Sequence, residues 1–113
     1  SLFGENHPDV ATTYNNIGMA LQALKKPYEA LDSYRKARDI ISLFGGNDHK
    51  VAMSYNNIGL VLQRIGTVRE TLDAFQKALD ILRRLPGSEH PDIKKIQQNI
   101  SSTQGFLSSH ALH

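Results

Sequence analysis

The residues with chemistry near neutral pH are five histidines, and their placing decides what they can do. His7, His49 and His90 recur at near-equal intervals, while His110 and His113 close the chain. A metal site or an acid–base pair needs partners at a fixed spacing, such as a second His four residues on, or Cys. Neither occurs: no His has another at i+4, and the chain has no Cys. The lack of Cys also excludes disulfides and thiol nucleophiles, and it suits a reducing compartment. No phosphate-cradling Gly loop, nucleophile elbow or paired-carboxylate arrangement is present. Asp32, Asp39, Asp73 and Asp80 alternate with Arg35, Lys36, Arg38 and Lys77 at helical spacing, the pattern of a solvated face. These features point away from an enzyme, a metal site or a cofactor. The chemistry that remains is hydrogen bonding by two pairs of asparagines, Asn15-Asn16 and Asn56-Asn57. Each side-chain amide offers a donor and an acceptor, which matches an extended peptide backbone or a neighbouring helix.

These residues sit in a repeat. Ser1–Ile41 set against Ser42–Leu82 without a gap agrees at 21 of 41 positions, and Tyr14-Asn15-Asn16-Ile17-Gly18 returns unchanged as Tyr55-Asn56-Asn57-Ile58-Gly59. A fainter third copy starts one residue late, with Leu85, Gly87, Ile93, Asn99 and Ile100 answering Leu43, Gly45, Val51, Asn57 and Ile58. Such a period implies stacked units, none able to bury its apolar face alone.

The elements follow from apolar spacing. Val10, Tyr14, Ile17, Leu21 and Leu24 step by three and four, as do Val51, Tyr55, Ile58, Leu62 and Ile65. Second helices carry Leu31, Tyr34, Ala37, Ile40, Ile41 and Phe44, then Leu72, Phe75, Ala78, Leu79, Leu82 and Leu85. A fifth carries Ile93, Ile96, Ile100 and Leu107. His7-Pro8-Asp9 and His90-Pro91-Asp92 read as helix entries, with Pro in the first turn and Asp at the positive end of the dipole. Thr67-Val68-Arg69-Glu70 reads as a capping box. Breaks fall at Pro27, Gly45-Gly46-Asn47, Gly66 and Pro86-Gly87. The spacing predicts helices at 8–24, 27–44, 49–65, 68–85 and 91–106, without strands. Ser108 to His113 reads as a flexible tail.

Each unit also has an aromatic, an Ile-Gly pair, a Leu one turn on, a second aromatic (Tyr34, Phe75) and an Ala three residues later (Ala37, Ala78). This pattern resembles the tetratricopeptide repeat, and the 41–42-residue period with its Asn-Asn pair resembles the long repeat of kinesin light chains. The resemblance covers about residues 1–100. It implies an all-α, right-handed superhelical solenoid forming one domain over 1–107: repeats at about 8–44 and 49–85, then a capping helix at about 91–107. Gly is expected to let paired helices approach closely. Lys25 stands where the family has Gly, as at Gly66, so the first turn is expected to be strained. Gln97 replaces the aromatic in the third copy, which suits a cap. His-Pro-Asp also resembles the J-domain tripeptide. A J-domain presents it once, in a loop, whereas here it recurs in register and becomes Asp48-His49-Lys50 in the middle copy.

The resemblance puts the first helix of each unit on the concave wall. That wall is expected to present Asn15, Asn16, Met19 and Gln22, then Met53, Asn56, Asn57, Leu60, Gln63 and Arg64, then Lys95 and Asn99. It is polar and apolar with scant charge, so it lacks the converging cations of a carboxylate clamp and suits a peptide held by its backbone. Met19, Met53 and Leu60 would receive apolar side chains. The implied function is a non-enzymatic interaction module that holds a protein or peptide segment. The second reading is self-association through open repeat ends.

Bulk numbers agree. With 40% hydrophobic and 21% charged residues, the chain has the composition of a globular domain. Its 13 basic and 11 acidic residues give a net charge of +2, too small an excess for a general pull on nucleic acid. No apolar run approaches a membrane span and no signal segment opens the chain, so a cytoplasmic setting is expected. The start at Ser1 suggests a segment cut from a longer protein.

Overall fold

The computed structural model describes residues 8–44, 49–86 and 91–111, and the side chains among these except 8, 9, 44 and 106–111. Five helices follow in order: α1 Pro8–Ala23, α2 Pro27–Phe44, α3 His49–Ile65, α4 Val68–Arg84 and α5 Pro91–Ala111. Helix boundaries expected from apolar spacing hold to within a residue except at the far end. There α5 runs on to Ala111, through Ser108–Ala111, which the sequence suggests is tail. Extending an existing helix fixes one residue per hydrogen bond, so Ser and His at the end cost only tenths of a kcal/mol each. The Gly45-Gly46-Asn47 stop, Gly87, His7, His90 and His113 lie outside the described residues, as do the side chains of Leu107 and His110.

Paired helices stack α1 with α2, α3 with α4, and α5 over α4. The molecule measures 54 × 35 × 18 Å, and its thinnest dimension is about two helix diameters. The core is therefore a seam between successive pairs, in two clusters. One joins Ala37, Ile40 and Ile41 of α2 to Val51 and Ala52 of α3, and Phe75, Ala78 and Leu82 of α4 to Ile93 and Ile96 of α5. The other joins Ala30, Leu31 and Tyr34 of α2 to Ile58, Val61 and Leu62 of α3.

Each pair is set by a glycine facing a ring. A β-carbon at Gly18 would lie 2.6 Å from the Tyr34 ring, and one at Gly59 would lie 2.5 Å from the Phe75 ring. The close approach is thus ring against backbone, rather than backbone against backbone with aromatics to either side. A flat ring needs the space of the missing methyl directly beneath it.

The turns behave as a matched pair with unequal residues. Lys25 has φ 62° and Gly66 has φ 97°, both left-handed. Around Lys25 the N–H of Lys26 reaches the Leu21 carbonyl and that of Lys25 the Gln22 carbonyl, a Schellman closure. Lys25 takes up the strain expected where Gly is replaced. The capping box at Thr67 does not form: the Thr67 side chain makes no cap bond to α4. Thr67 also closes α3, and both its N–H and its hydroxyl turn back to the Leu62 carbonyl, at 3.2 and 3.4 Å.

On the second helices, ion pairs repeat in register, Lys36 with Asp32 at 3.3 Å and Lys77 with Asp73 at 3.5 Å. All four are exposed, so each pair contributes at most about 0.5 kcal/mol. Lys36 also lies over the Tyr14 ring, and Arg38 and Lys77 over that of Tyr55, at 5.6–5.7 Å.

Candidate functional site

The residues expected to form the concave wall lie in one stripe on each first helix, and the three stripes differ in how much of their polarity is already spent. On α1, Asn15, Met19 and Gln22 follow at steps of four and three, with Met19 59% exposed and Asn16 exposed beside them. On α3 the same registers hold Asn56, Leu60 and Gln63, joined by half-buried Met53 and Asn57 and by exposed Arg64. Lys95 is exposed on α5 and Asn99 is half-buried.

Asn56 and Asn99 are not open groove residues. Asn56 is 2% exposed, and its Oδ1 accepts from Asn99 Nδ2 at 3.2 Å. The pair braces α3 against α5, because the capping helix lies over Asn56 and a buried amide must find a partner. Asn15, the counterpart of Asn56, has a different fate. Its Oδ1 is buried without a hydrogen-bond partner among the described residues. Leaving such an acceptor unpaired costs about 1–3 kcal/mol.

The two glutamines also diverge, because each turns to the hydroxyl its own surroundings supply. Tyr34 Oη donates to Gln22 Oε1 at 2.5 Å. Burial pushes the Tyr34 phenol above its ordinary pKa, so it remains a donor well into the alkaline range. Phe75 stands at the Tyr34 register and has no hydroxyl, and Gln63 Nε2 instead donates to Thr103 Oγ1 on α5 at 3.0 Å. The Thr103 hydroxyl in turn donates to the Asn99 carbonyl at 2.9 Å. Beside this link opens a cleft of about 320 Å³, lined by Gln63, Gly66, Val68, Thr71, Ser102 and Thr103. Ser102 stands where the second copy has Leu60, so the cap leaves room that the repeat before it fills. Thr71 bonds back to the Thr67 carbonyl at 2.8 Å, which leaves the cleft with mainly methyl and methylene walls. Sequence reading missed this cleft, although the small Ser102 signalled it.

The histidine that can be located is structural. His49 Nε2 lies 2.7 Å from Asp92 Oδ2 and ties the first turn of α3 to that of α5. Among the described residues no three His, Cys, Asp or Glu side chains converge as metal ligands, and no helix is long and apolar enough to cross a membrane.

Comparison with known proteins agrees with this geometry. The family model for the tetratricopeptide repeat matches twice, over residues 9–70 and 50–111. Among solved structures, BtubC (BKLC) from P. vanneervenii superposes with a TM-score of 0.82 at 27% identity. The alignment covers 88% of this chain and 40% of BtubC, so the chain spans less than half of that protein's length. No curated protein matches. Two overlapping family matches, a repeated glycine-under-ring pairing and this solenoid likeness together make the chain a member of the tetratricopeptide repeat family, of the kinesin-light-chain-like kind.

Proposed function

We propose that this segment holds an extended peptide of another protein along the concave wall of α1, α3 and α5. Repeats of this family are protein–protein interaction modules. The observation that carries the finer reading is Asn15, with an unpaired amide oxygen on the same helix face as exposed Met19. A half-buried Asn held without a partner gains by turning toward a peptide N–H, which recovers the lost hydrogen bond. Asn16, Asn57, Gln22, Gln63, Arg64 and Lys95 would add polar contacts, and Met19, Met53 and Leu60 apolar ones, with the cleft beside Ser102 taking one peptide side chain. Asn56 and Asn99 serve the brace instead. No catalytic role, cofactor or nucleic-acid partner is part of this reading, and the cysteine-free sequence suits the cytoplasm.

Self-association through open ends is the second reading. It draws on the exposed apolar face of α1, whereas α5 presents Lys94, Gln97, Gln98 and Ser101 outward.

A peptide-array screen followed by titration tests the proposal. Asn15→Ala is expected to weaken the recovered peptide by about 1–3 kcal/mol while folding stability holds or rises slightly, since Ala is the better helix former. Unchanged affinity with a lower melting temperature would make Asn15 a brace like Asn56.

A further inference from the structure

The cleft of about 320 Å³ between the end of α3, the start of α4 and α5 differs in charge from its neighbours. A cleft of about 480 Å³ between α4 and α5 has Arg69, Glu70 and Asp73 in its walls, and one of about 170 Å³ has Arg35, Arg38, Glu70, Asp73 and Lys77. No acid or base lines the cleft beside Ser102. Its most buried residues are Thr71 and Thr103, 0% and 2% exposed, and each has committed its hydroxyl elsewhere. Thr71 Oγ1 donates to the Thr67 carbonyl, and Thr103 Oγ1 donates to the Asn99 carbonyl while accepting from Gln63. What remains to meet an occupant is mostly apolar surface, with exposed Gln63 and Ser102 at the rim.

Two side-chain ties between α3 and α5 hold the cleft open. Gln63 reaches Thr103 at 3.0 Å, and Asn99 reaches Asn56 at 3.2 Å. They fix the spacing of the helices that carry the walls, so α5 cannot settle onto α3 without breaking part-buried hydrogen bonds. Water in such a cleft finds few polar partners, and an apolar group that displaces it gains affinity.

We infer that this cleft selects an uncharged aliphatic side chain of leucine size from the bound segment, an inference that rests on the peptide-binding reading above. A carboxylate or ammonium would leave water for walls that offer no counter-charge. An apolar cavity of about 150 Å³ accepts benzene, so this cleft admits one side chain and not a helix. No aromatic ring lines it, so nothing rewards a ring in the occupant. One repeat earlier, at the Ser102 register, the chain supplies a side chain of this kind itself, half-buried Leu60.

The test titrates N-acetyl-leucinamide and its phenylalanine, aspartate and lysine analogues into the labelled chain. The leucine compound is expected to move the amide signals of Gly66, Val68, Ser102 and Thr103, and the charged analogues to leave them in place. Ser102→Leu and Val68→Phe narrow the cleft from opposite rims, and each is expected to weaken leucine binding by about tenfold or more. Ser102→Ala keeps the cleft open and is expected to retain binding. The inference is overturned if the leucine compound moves none of these signals, if the charged analogues move them as strongly, or if the phenylalanine compound binds more tightly. Unchanged leucine binding in both narrowed variants overturns it as well. Failure of the wall reads differently from failure of the cleft. A peptide from the array that tolerates Asp at every position overturns the cleft and leaves the wall, whereas leucine binding here with no peptide recovered supports the cleft and removes the wall.

Discussion

At the scale of single residues, identical letters in two copies do different work according to what lies beside them. Asn56 is braced by Asn99 while Asn15 has an unpaired oxygen, and Gln22 and Gln63 turn to different helices because Tyr34 carries a hydroxyl that Phe75 lacks and Thr103 carries one that Val61, at the same register, lacks. That the Asn pairs were special was legible in the sequence, because Asn is a poor mid-helix residue chosen twice. Which member of each pair would be buried was not, since it depends on where the next helix lies. Ser54 offers a clean test of cost at this scale. Its hydroxyl is buried without a partner among the described residues, so Ser54→Ala is expected to raise stability by roughly 0.5–1.5 kcal/mol in a thermal or urea melt. A loss of stability instead would show that the hydroxyl has an ordered water or other partner.

At the scale of elements, apolar periodicity carried the helix boundaries, because burial on one side and a breaker at each end leave few alternatives. The capping box failed for a reason outside any local pattern: Thr67 is shared by two helices and serves the one before it. The glycines were legible as close-contact positions, but the partner, a ring of the second helix, emerges only once the pair is folded. Gly59→Ala is expected to destabilise by about 1–3 kcal/mol, against the ~1 kcal/mol that helix propensity would return, because the new methyl meets Phe75. Stabilisation by that variant would mean the ring can move aside at no cost. The inter-helix turn predicts the opposite sign for a change toward glycine. Lys25 holds a left-handed backbone that costs a residue with a side chain about 1 kcal/mol, so Lys25→Gly is expected to raise the unfolding free energy by about that amount and the melting midpoint with it. An unchanged or lower midpoint would show that the Lys25 side chain repays the strain.

At the scale of the whole molecule, the account rests on a thin stack whose second helices carry paired charges and whose first helices form the proposed binding wall. On the second helices Asp32 pairs with Lys36 and Asp73 with Lys77, and Lys36, Arg38 and Lys77 reach over the Tyr14 and Tyr55 rings of the first helices. The first helices retain exposed Met19 and Asn16 and the buried, unpaired Asn15 oxygen, which is why the proposal puts peptide binding there. The most direct measurement is amide chemical-shift mapping of the labelled chain, titrated with a peptide recovered from the array. The account predicts that shifts gather on Asn15, Met19, Met53 and Leu60 and spread to Ser102, with little change at Asp32, Lys36, Asp73 or Lys77. Shifts gathered instead along the outer faces of α2 and α4 would contradict it.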